Sequence, residues 1–162
     1  ILKDNQNSFR AEIANDNSEG QIVVSGRIQD LEKLGSFLKK NRIKNIKLPV
    51  SAPFHCSLMS KATDVMREEL GKLNFKKGKN SLVSNITANE IFNANELKDL
   101  LVKQIENRVR WRESVINMIE KGVNQFIEIG PGKVLSGLVK RINKDVEVIS
   151  INNEDDIKSI KI

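Results

Sequence analysis

The sequence predicts an α/β fold, and three observations carry that prediction. Short apolar runs alternate with longer stretches whose apolar residues recur at the three-and-four spacing of one helix face. Glycine and proline punctuate the joins, and no repeat or low-complexity tract interrupts the alternation. The chain has 162 residues of which 39% are apolar, enough for a real core.

The elements follow in order. Residues 15–26, NDNSEGQIVVSG, read as a polar turn feeding a strand at Ile22–Val24. Asn15, Asn17 and Ser18 favour local side-chain turns there, and Gly20 permits a positive φ. Leu31, Leu34 and Leu38 form a helical stripe, and Ile46–Leu48 is a second short apolar run read as a strand. Residues 11–48 therefore also fit half of a small α+β unit, strand–strand–helix–strand. Pro49 and Pro53 disfavour helix and strand interior and mark a seam. Beyond it come a helix carrying Leu58, Ala62, Val65, Met66, Leu70 and Leu73, a strand at Leu82–Val83, and a helix carrying Leu97, Leu100, Leu101 and Ile105. A helix on Trp111, Val115, Met118 and Ile119 follows, then a strand at Phe126–Ile129, a helix from Val134 to Ile142, and a strand at Val146–Ile151. This alternation argues for a largely parallel sheet covered by helices.

Composition narrows the class of function. No apolar run approaches the roughly 18 residues of a membrane span, and residues 1–20 lack a signal-peptide pattern, so a cytoplasmic setting is the expectation. The single cysteine, Cys56, excludes an internal disulfide and fits a reducing compartment. A net charge of +6 favours acidic partners without choosing among nucleic acid, an anionic membrane and an acidic protein. The chain opens on Ile1 and its first Met is Met59, inside a structured-looking segment, so it reads as a piece of a longer protein.

The chemistry-bearing candidates are few. His55, the only histidine, lies in PVSAPFHCSLM, residues 49–59. A lone histidine is more often a satisfied polar residue than a catalyst, yet an irregular loop at a seam is where catalytic groups collect. Cys56 beside it points to the opposite side of an extended stretch and makes a poor dyad partner, and one His with one Cys gives no metal set. EIGPGKVLSG, residues 128–137, runs from a strand through Gly130-Pro131-Gly132 into a helix. It fails as a phosphate loop, because Ile127 stands where the first glycine is needed and Val134 where Ser or Thr must follow Lys133. A structural glycine turn accounts for it, with Lys133 the best placed cation for an incidental anion contact. KQIENRVRW, residues 103–111, reads as a basic helix end leading to a buried Trp111.

Taken together, NDNSEGQIVVSG, PVSAPFHCSLM and EIGPGKVLSGLVKRI resemble motifs of the malonyl-CoA:acyl carrier protein transacylase family and follow one another in the same order as in that family. The resemblance runs from about residue 11 to residue 151 and departs from the family at Glu19, where proline is usual. It implies part of an α/β-hydrolase-like large subdomain with an inserted ferredoxin-like small subdomain. Residues 1–50 would be the later portion of the small subdomain, and residues 51–162 the later portion of the large one. It also implies transfer of malonyl from malonyl-CoA to the phosphopantetheine thiol of an acidic acyl carrier protein through a seryl ester, in fatty-acid biosynthesis. His55 would be the general base and acid, oriented by the backbone carbonyl of Gln104. Phe54 would favour malonyl over branched malonyl groups, and Asn17 would contact substrate. No cofactor or metal is implied, nor a membrane or nucleic-acid partner, and the enzyme is expected as a monomer. The nucleophile motif and the carboxylate-gripping arginine of the family match nothing in this chain, so the isolated segment is expected to be inactive.

Lys133, Lys140, Arg141, Arg108, Arg110 and Arg112 are candidates for a basic face steering the carrier. Two other readings stand beside this one. An acyltransferase domain of a polyketide or fatty-acid megasynthase is disfavoured only by the polar tail after VISINNEDDIKSI. A non-enzymatic basic module binding nucleic acid sits poorly with 4% aromatics and the lack of a concentrated basic stripe.

Overall fold

In the computed structural model, which describes residues 1–76 and 78–159, helices and short strands alternate as the pattern requires. Strand β1 (Ala11–Ser18) turns at Glu19 and Gly20 into the antiparallel β2 (Gln21–Gly26), with irregularities between Ile13 and Asn15 and between Asp16 and Ser18. Asn15, Asn17 and Ser18 thus lie within β1 and not in the turn preceding β2. The buried face of β1 carries Ala14, Asp16 and Ser18, so the strand lacks the apolar alternation that marks most half-buried strands. Helix α1 (Ile28–Lys40) buries Leu34, and Phe37 meets the buried Phe9 with ring centroids 5.7 Å apart and tilted. That offset arrangement is a favoured one for aromatic pairs.

Ile46–Leu48, expected as a strand, is not one. Ile46 is 75% exposed, and among the described residues no strand pairs with this segment. An extended segment without a partner leaves its backbone groups to water, and Pro49 removes a donor at its end. Residues 41–56 are irregular and lead through a 3-10 turn (Ser57–Met59) into α2 (Ser60–Gly71). The apolar stripe read as one helix from Leu58 to Leu73 is therefore longer than the helix itself. Helix α2 packs on α3 (Ala94–Lys103), whose Asn93 cap accepts from the N–H groups of Asn95 and Glu96 at 2.8 and 3.3 Å.

Between those helices, β3 (Leu82–Val83) pairs antiparallel with β4 (Glu90–Ile91). Their connecting loop is held by α4 (Trp111–Glu120) and the residue before it. Arg110 donates to the carbonyls of Ile86 and Thr87 at 3.2 and 3.1 Å, and Asn117 donates to that of Ala88 at 2.8 Å. Ala88 has φ 57°, a conformation an L-residue keeps only when its surroundings impose it. Without Arg110 the Ile86 carbonyl loses its side-chain donor and the Thr87 carbonyl keeps only the Asn89 amide at 3.0 Å, so Arg110→Ala should cost about 1 to 2 kcal/mol of stability, read by chemical denaturation. A variant within about 0.5 kcal/mol of the parent would contradict that role.

The remaining unit is strand–helix–strand. β5 (Gln125–Ile129) runs parallel to β6 (Glu147–Ile151), joined by α5 (Val134–Ile142). Their core is Val115, Val139 and Val146, flanked by Trp111, Met118, Ile119, Phe126, Ile142 and Val148. The polar tail forms α6 (Glu154–Ser159), while residues 160–162 of the tail lie outside the described residues. Among the described residues the strands form separate two-stranded ladders, one parallel and two antiparallel, in place of the largely parallel sheet expected. Val109 extends the β1–β2 ladder by a parallel bridge to Asn15, with the Val109 N–H on the Ala14 carbonyl at 2.8 Å and the Asp16 N–H on the Val109 carbonyl at 2.9 Å. The buried Asp16 then takes Arg112 in a two-pronged ion pair at 2.9 and 2.8 Å, which ties β1 to α4.

Candidate active site

His55 sits on the irregular stretch between β2–α1 and α2, half-buried, with φ 59°. Its Nδ1 lies 2.7 Å from the backbone carbonyl oxygen of Gln104, a residue 49 positions away at the end of α3. A carbonyl oxygen only accepts, so Nδ1 carries the hydrogen and donates. In the neutral ring the lone pair is then on Nε2, and among the described residues no hydrogen bond occupies that atom. Such an imidazole can take a proton from a hydroxyl or thiol presented to Nε2 and return it, its tautomer fixed by a neutral acceptor.

The acceptor is itself held. The Gln104 N–H donates to the Leu100 carbonyl at 3.0 Å, and its side-chain oxygen accepts from the Asn85 amide at 3.3 Å. Asn85 is anchored in turn, its carbonyl accepting from the Arg110 N–H at 2.9 Å. A cavity of about 170 Å³ lies against this pair, lined by Leu82, Val83, Ser84, Leu97 and Leu100 besides Asn85 and Gln104. Asn85 carried no signal in the sequence, because its value lies in contacts to residues distant along the chain.

Cys56 is fully buried and its thiol donates to the Pro53 carbonyl at 3.1 Å, away from the His55 contact. Burial pushes that thiol up, with the Glu12 and Glu106 charges adding to the rise against a backbone hydrogen bond at Leu58. Cys56 therefore stays a protonated packing residue at neutral pH. Phe54 is 46% exposed beside His55, so within this chain its ring is not a core aromatic. Asn17 is half-buried on β1, and among the described residues no hydrogen bond links it to His55 or Gln104.

The cations grouped as a basic face mostly serve the fold. Arg108 and Arg110 both pair with Glu113, and Arg112 pairs with Asp16. Lys140 donates to the carbonyls of Lys144 and Val146 at 3.1 and 2.7 Å, and Arg141 reaches the Gln21 side chain. Lys133 is exposed, and among the described residues no ion pair engages it. Its backbone is N-terminal to α5, beyond the glycine turn.

In that turn Gly130 and Gly132 have φ of 138° and 96°, angles that a side chain would strain. The turn lets β5 reverse into α5, and Glu128 caps that helix from the strand side. Its carboxylate accepts from the N–H groups of Leu135 and Ser136 at 3.0 and 2.7 Å. Hydrogen bonds from Ser136, its side chain foremost, and from the backbone N–H groups of Ser136, Leu135 and Val134 hold the carboxyl below the usual carboxylate range, against a desolvation pushing it up. The acid two positions ahead of a glycine turn and a helix start was a readable signal for this cap. Since the folded state favours the ionised form, its stabilising contribution is present above the ordinary carboxylate range and fades as pH falls through it. Glu128→Ala should lower Tm by roughly 3 °C at neutral pH, and the gap to the parent should close on acidification. A gap independent of pH would contradict the cap.

Among the described residues no group of three or more His, Cys, Asp or Glu side chains is arranged to hold a metal ion. Among them, too, no helix is long and apolar enough to cross a membrane.

No protein-family model matches the chain. The malonyl CoA-acyl carrier protein transacylase of Bacillus subtilis is 38% identical over 148 residues, covering 91% of this chain and 47% of the relative. The crystal structure of the same-named protein from Clostridium perfringens superposes with a TM-score of 0.91 at 39% identity, covering 97% of this chain and 50% of that one. A structure described as a type II PKS acyl-carrier protein in complex with its malonyl-transacylase matches at TM-score 0.91 and 33% identity, covering 98% of this chain and 52% of that one. The chain thus spans about half the length of the curated relatives it matches. The mixed α/β architecture and these likenesses agree: over nearly its whole length the chain matches about half the length of malonyl CoA-acyl carrier protein transacylases, in sequence and in fold.

Proposed function

We propose that the protein carrying this sequence transfers malonyl from malonyl-CoA to the phosphopantetheine thiol of an acyl carrier protein in fatty-acid biosynthesis, and that this chain supplies its acid–base half. The observation that supports this best is the His55 Nδ1 contact to the Gln104 carbonyl at 2.7 Å, which leaves Nε2 open. A serine outside this chain is the nucleophile. In the first half-reaction Nε2 takes the serine proton as the oxygen attacks the thioester carbonyl. The tetrahedral oxyanion collapses, the carbon–sulfur bond breaks, and the departing CoA sulfur receives the proton from the imidazolium. In the second, Nε2 takes the proton of the phosphopantetheine thiol, sulfur attacks the seryl ester, and the serine oxygen recovers the proton.

Each half-reaction exchanges one acyl group between oxygen and sulfur without change in oxidation state, so the substrates are the only small molecules the scheme needs. Gln104, a neutral acceptor, orients the imidazole with less stabilisation of the imidazolium than a carboxylate would give. Phe54 limits the space beside the acyl α-carbon, and Asn17 is a second substrate contact resting on its N-D-N-S setting alone. The division near residue 50 separates the two subdomains of the family fold, and the working compartment is the cytoplasm, where the monomeric enzyme meets its acidic carrier. Steering by that carrier falls to Lys133 more than to the paired arginines.

The test is transfer of radiolabelled malonyl from malonyl-CoA to holo acyl carrier protein, using the longest natural protein that contains this sequence. Label on the carrier supports the reading; none, from a protein with a cooperative thermal transition, rejects it.

A further inference from the structure

The loop that carries His55 is gripped from outside its own segment. Ser25 of β2 donates its hydroxyl to the Phe54 carbonyl at 2.6 Å, one residue before His55. Glu12 of β1 accepts from the Ser57 N–H at 3.1 Å and from its hydroxyl at 2.5 Å, two residues after His55. Glu12 and Ser25 are cross-strand partners in the β1–β2 ladder. Directly opposed residues of an antiparallel pair put their side chains on one face, so the two arms reach the loop from a single rigid rung. Between them His55 holds φ 59°, a left-handed conformation that costs a non-glycine residue free energy and persists only when the surroundings over-determine it.

We infer that Glu12 and Ser25 are positioning residues: together they fix the left-handed backbone of His55, and through it the aim of its Nδ1 at the Gln104 carbonyl. The Ser25 arm is buried, with the residue 9% exposed, and the Glu12 arm is exposed but carries charge-assisted bonds. Among the described residues the hydrogen bond of the imidazole goes to Gln104 and not to either arm. With either arm released, the backbone relaxes toward negative φ and the ring swings off its acceptor, which exchanges the fixed tautomer for a mixture. Displacement of a catalytic group by about 1 Å can cost on the order of 100-fold in rate, so loss of one of two arms should cost about tenfold.

The inference rests on the transacylase reading, and its experiment separates the two. Ser25→Ala, Glu12→Ala and Glu12→Gln are made in the longest natural protein containing the sequence, with histidine selectively labelled with nitrogen-15 and the His55 signals assigned by their loss in His55→Ala. Steady-state malonyl transfer, thermal unfolding and the imidazole spectrum are recorded on each. The expected result is a kcat about tenfold lower for Ser25→Ala and Glu12→Ala, with KM for malonyl-CoA within about twofold and Tm little changed. Their Nδ1–H signal, protected in the parent, broadens or vanishes. Glu12→Gln keeps an acceptor oxygen for Ser57 and recovers most of the loss. An active parent whose alanine variants keep both kcat and the protected Nδ1–H overturns the clamp and leaves the transacylase standing, and a fall in kcat that merely follows a fall in Tm overturns it too. A folded parent without transfer activity overturns the functional reading, and the imidazole spectra of the same variants still decide for or against the clamp.

Discussion

Replacing His55 by alanine is expected to lower kcat for malonyl transfer about 1,000-fold while leaving the fold intact. General acid–base assistance is worth about 100- to 10,000-fold, and in the proposed mechanism one imidazole serves both half-reactions, so neither could bypass its loss. Stability should change little, because the imidazole is half-buried with Gln104 as its hydrogen-bond partner, and the Gln104 carbonyl can turn to water once the ring is gone. Gln104→Ala provides the contrast. It removes the side-chain contact to Asn85 but keeps the backbone carbonyl that His55 uses, and should cost less than about tenfold. Equal losses in the two variants would show that His55 acts by some route other than an imidazole aimed by that carbonyl.

The second large effect concerns substrate choice. Phe54 directly precedes His55 and is 46% exposed, which would let its ring face an acyl group held beside the imidazole as proposed above. A methyl group or its equivalent in a shaped pocket is worth about 1–3 kcal/mol of discrimination. Phe54→Ala should therefore raise kcat/KM for methylmalonyl-CoA relative to malonyl-CoA by about 10- to 100-fold, measured by competition between the two thioesters. An unchanged ratio would assign Phe54 to packing against parts of the protein outside this chain.

How far the sequence reaches depends on whether a signal is local. The β5–α5–β6 unit was legible because its strands are rich in β-branched and aromatic residues, Phe126, Ile127 and Ile129 in one and Val148, Ile149 and Ile151 in the other, and α5 carries Leu135, Leu138, Val139 and Ile142 at helical spacing. β1 was not read as a full strand because its buried positions include Asp16 and Ser18, whose burial depends on Arg112 and on the ladder with Val109. Ile46–Leu48 has strand composition without a partner among the described residues, and composition cannot tell the two situations apart. At the site, composition and the seam raised His55 without deciding its role, and the acceptor on Gln104 came only from the family resemblance. Glu12 and Ser25 were invisible because their juxtaposition follows from a ladder register that a bulge next to Ile13 shifts. Which of the candidate cations are paired was hidden for a related reason: a cation in sequence does not reveal the carboxylate that folding brings to it, as Asp16 is brought to Arg112.

The central claim is that His55, aimed by the Gln104 carbonyl, moves the protons of an acyl transfer through a seryl ester. The most direct test is intact-mass analysis of the longest natural protein containing this sequence after brief exposure to malonyl-CoA, beside its His55→Ala form. A malonyl adduct should form within the first turnovers on the parent, form far more slowly on the variant, and discharge when holo acyl carrier protein is added. An adduct that appears equally fast with and without His55, or a folded parent that never acquires one, would contradict it.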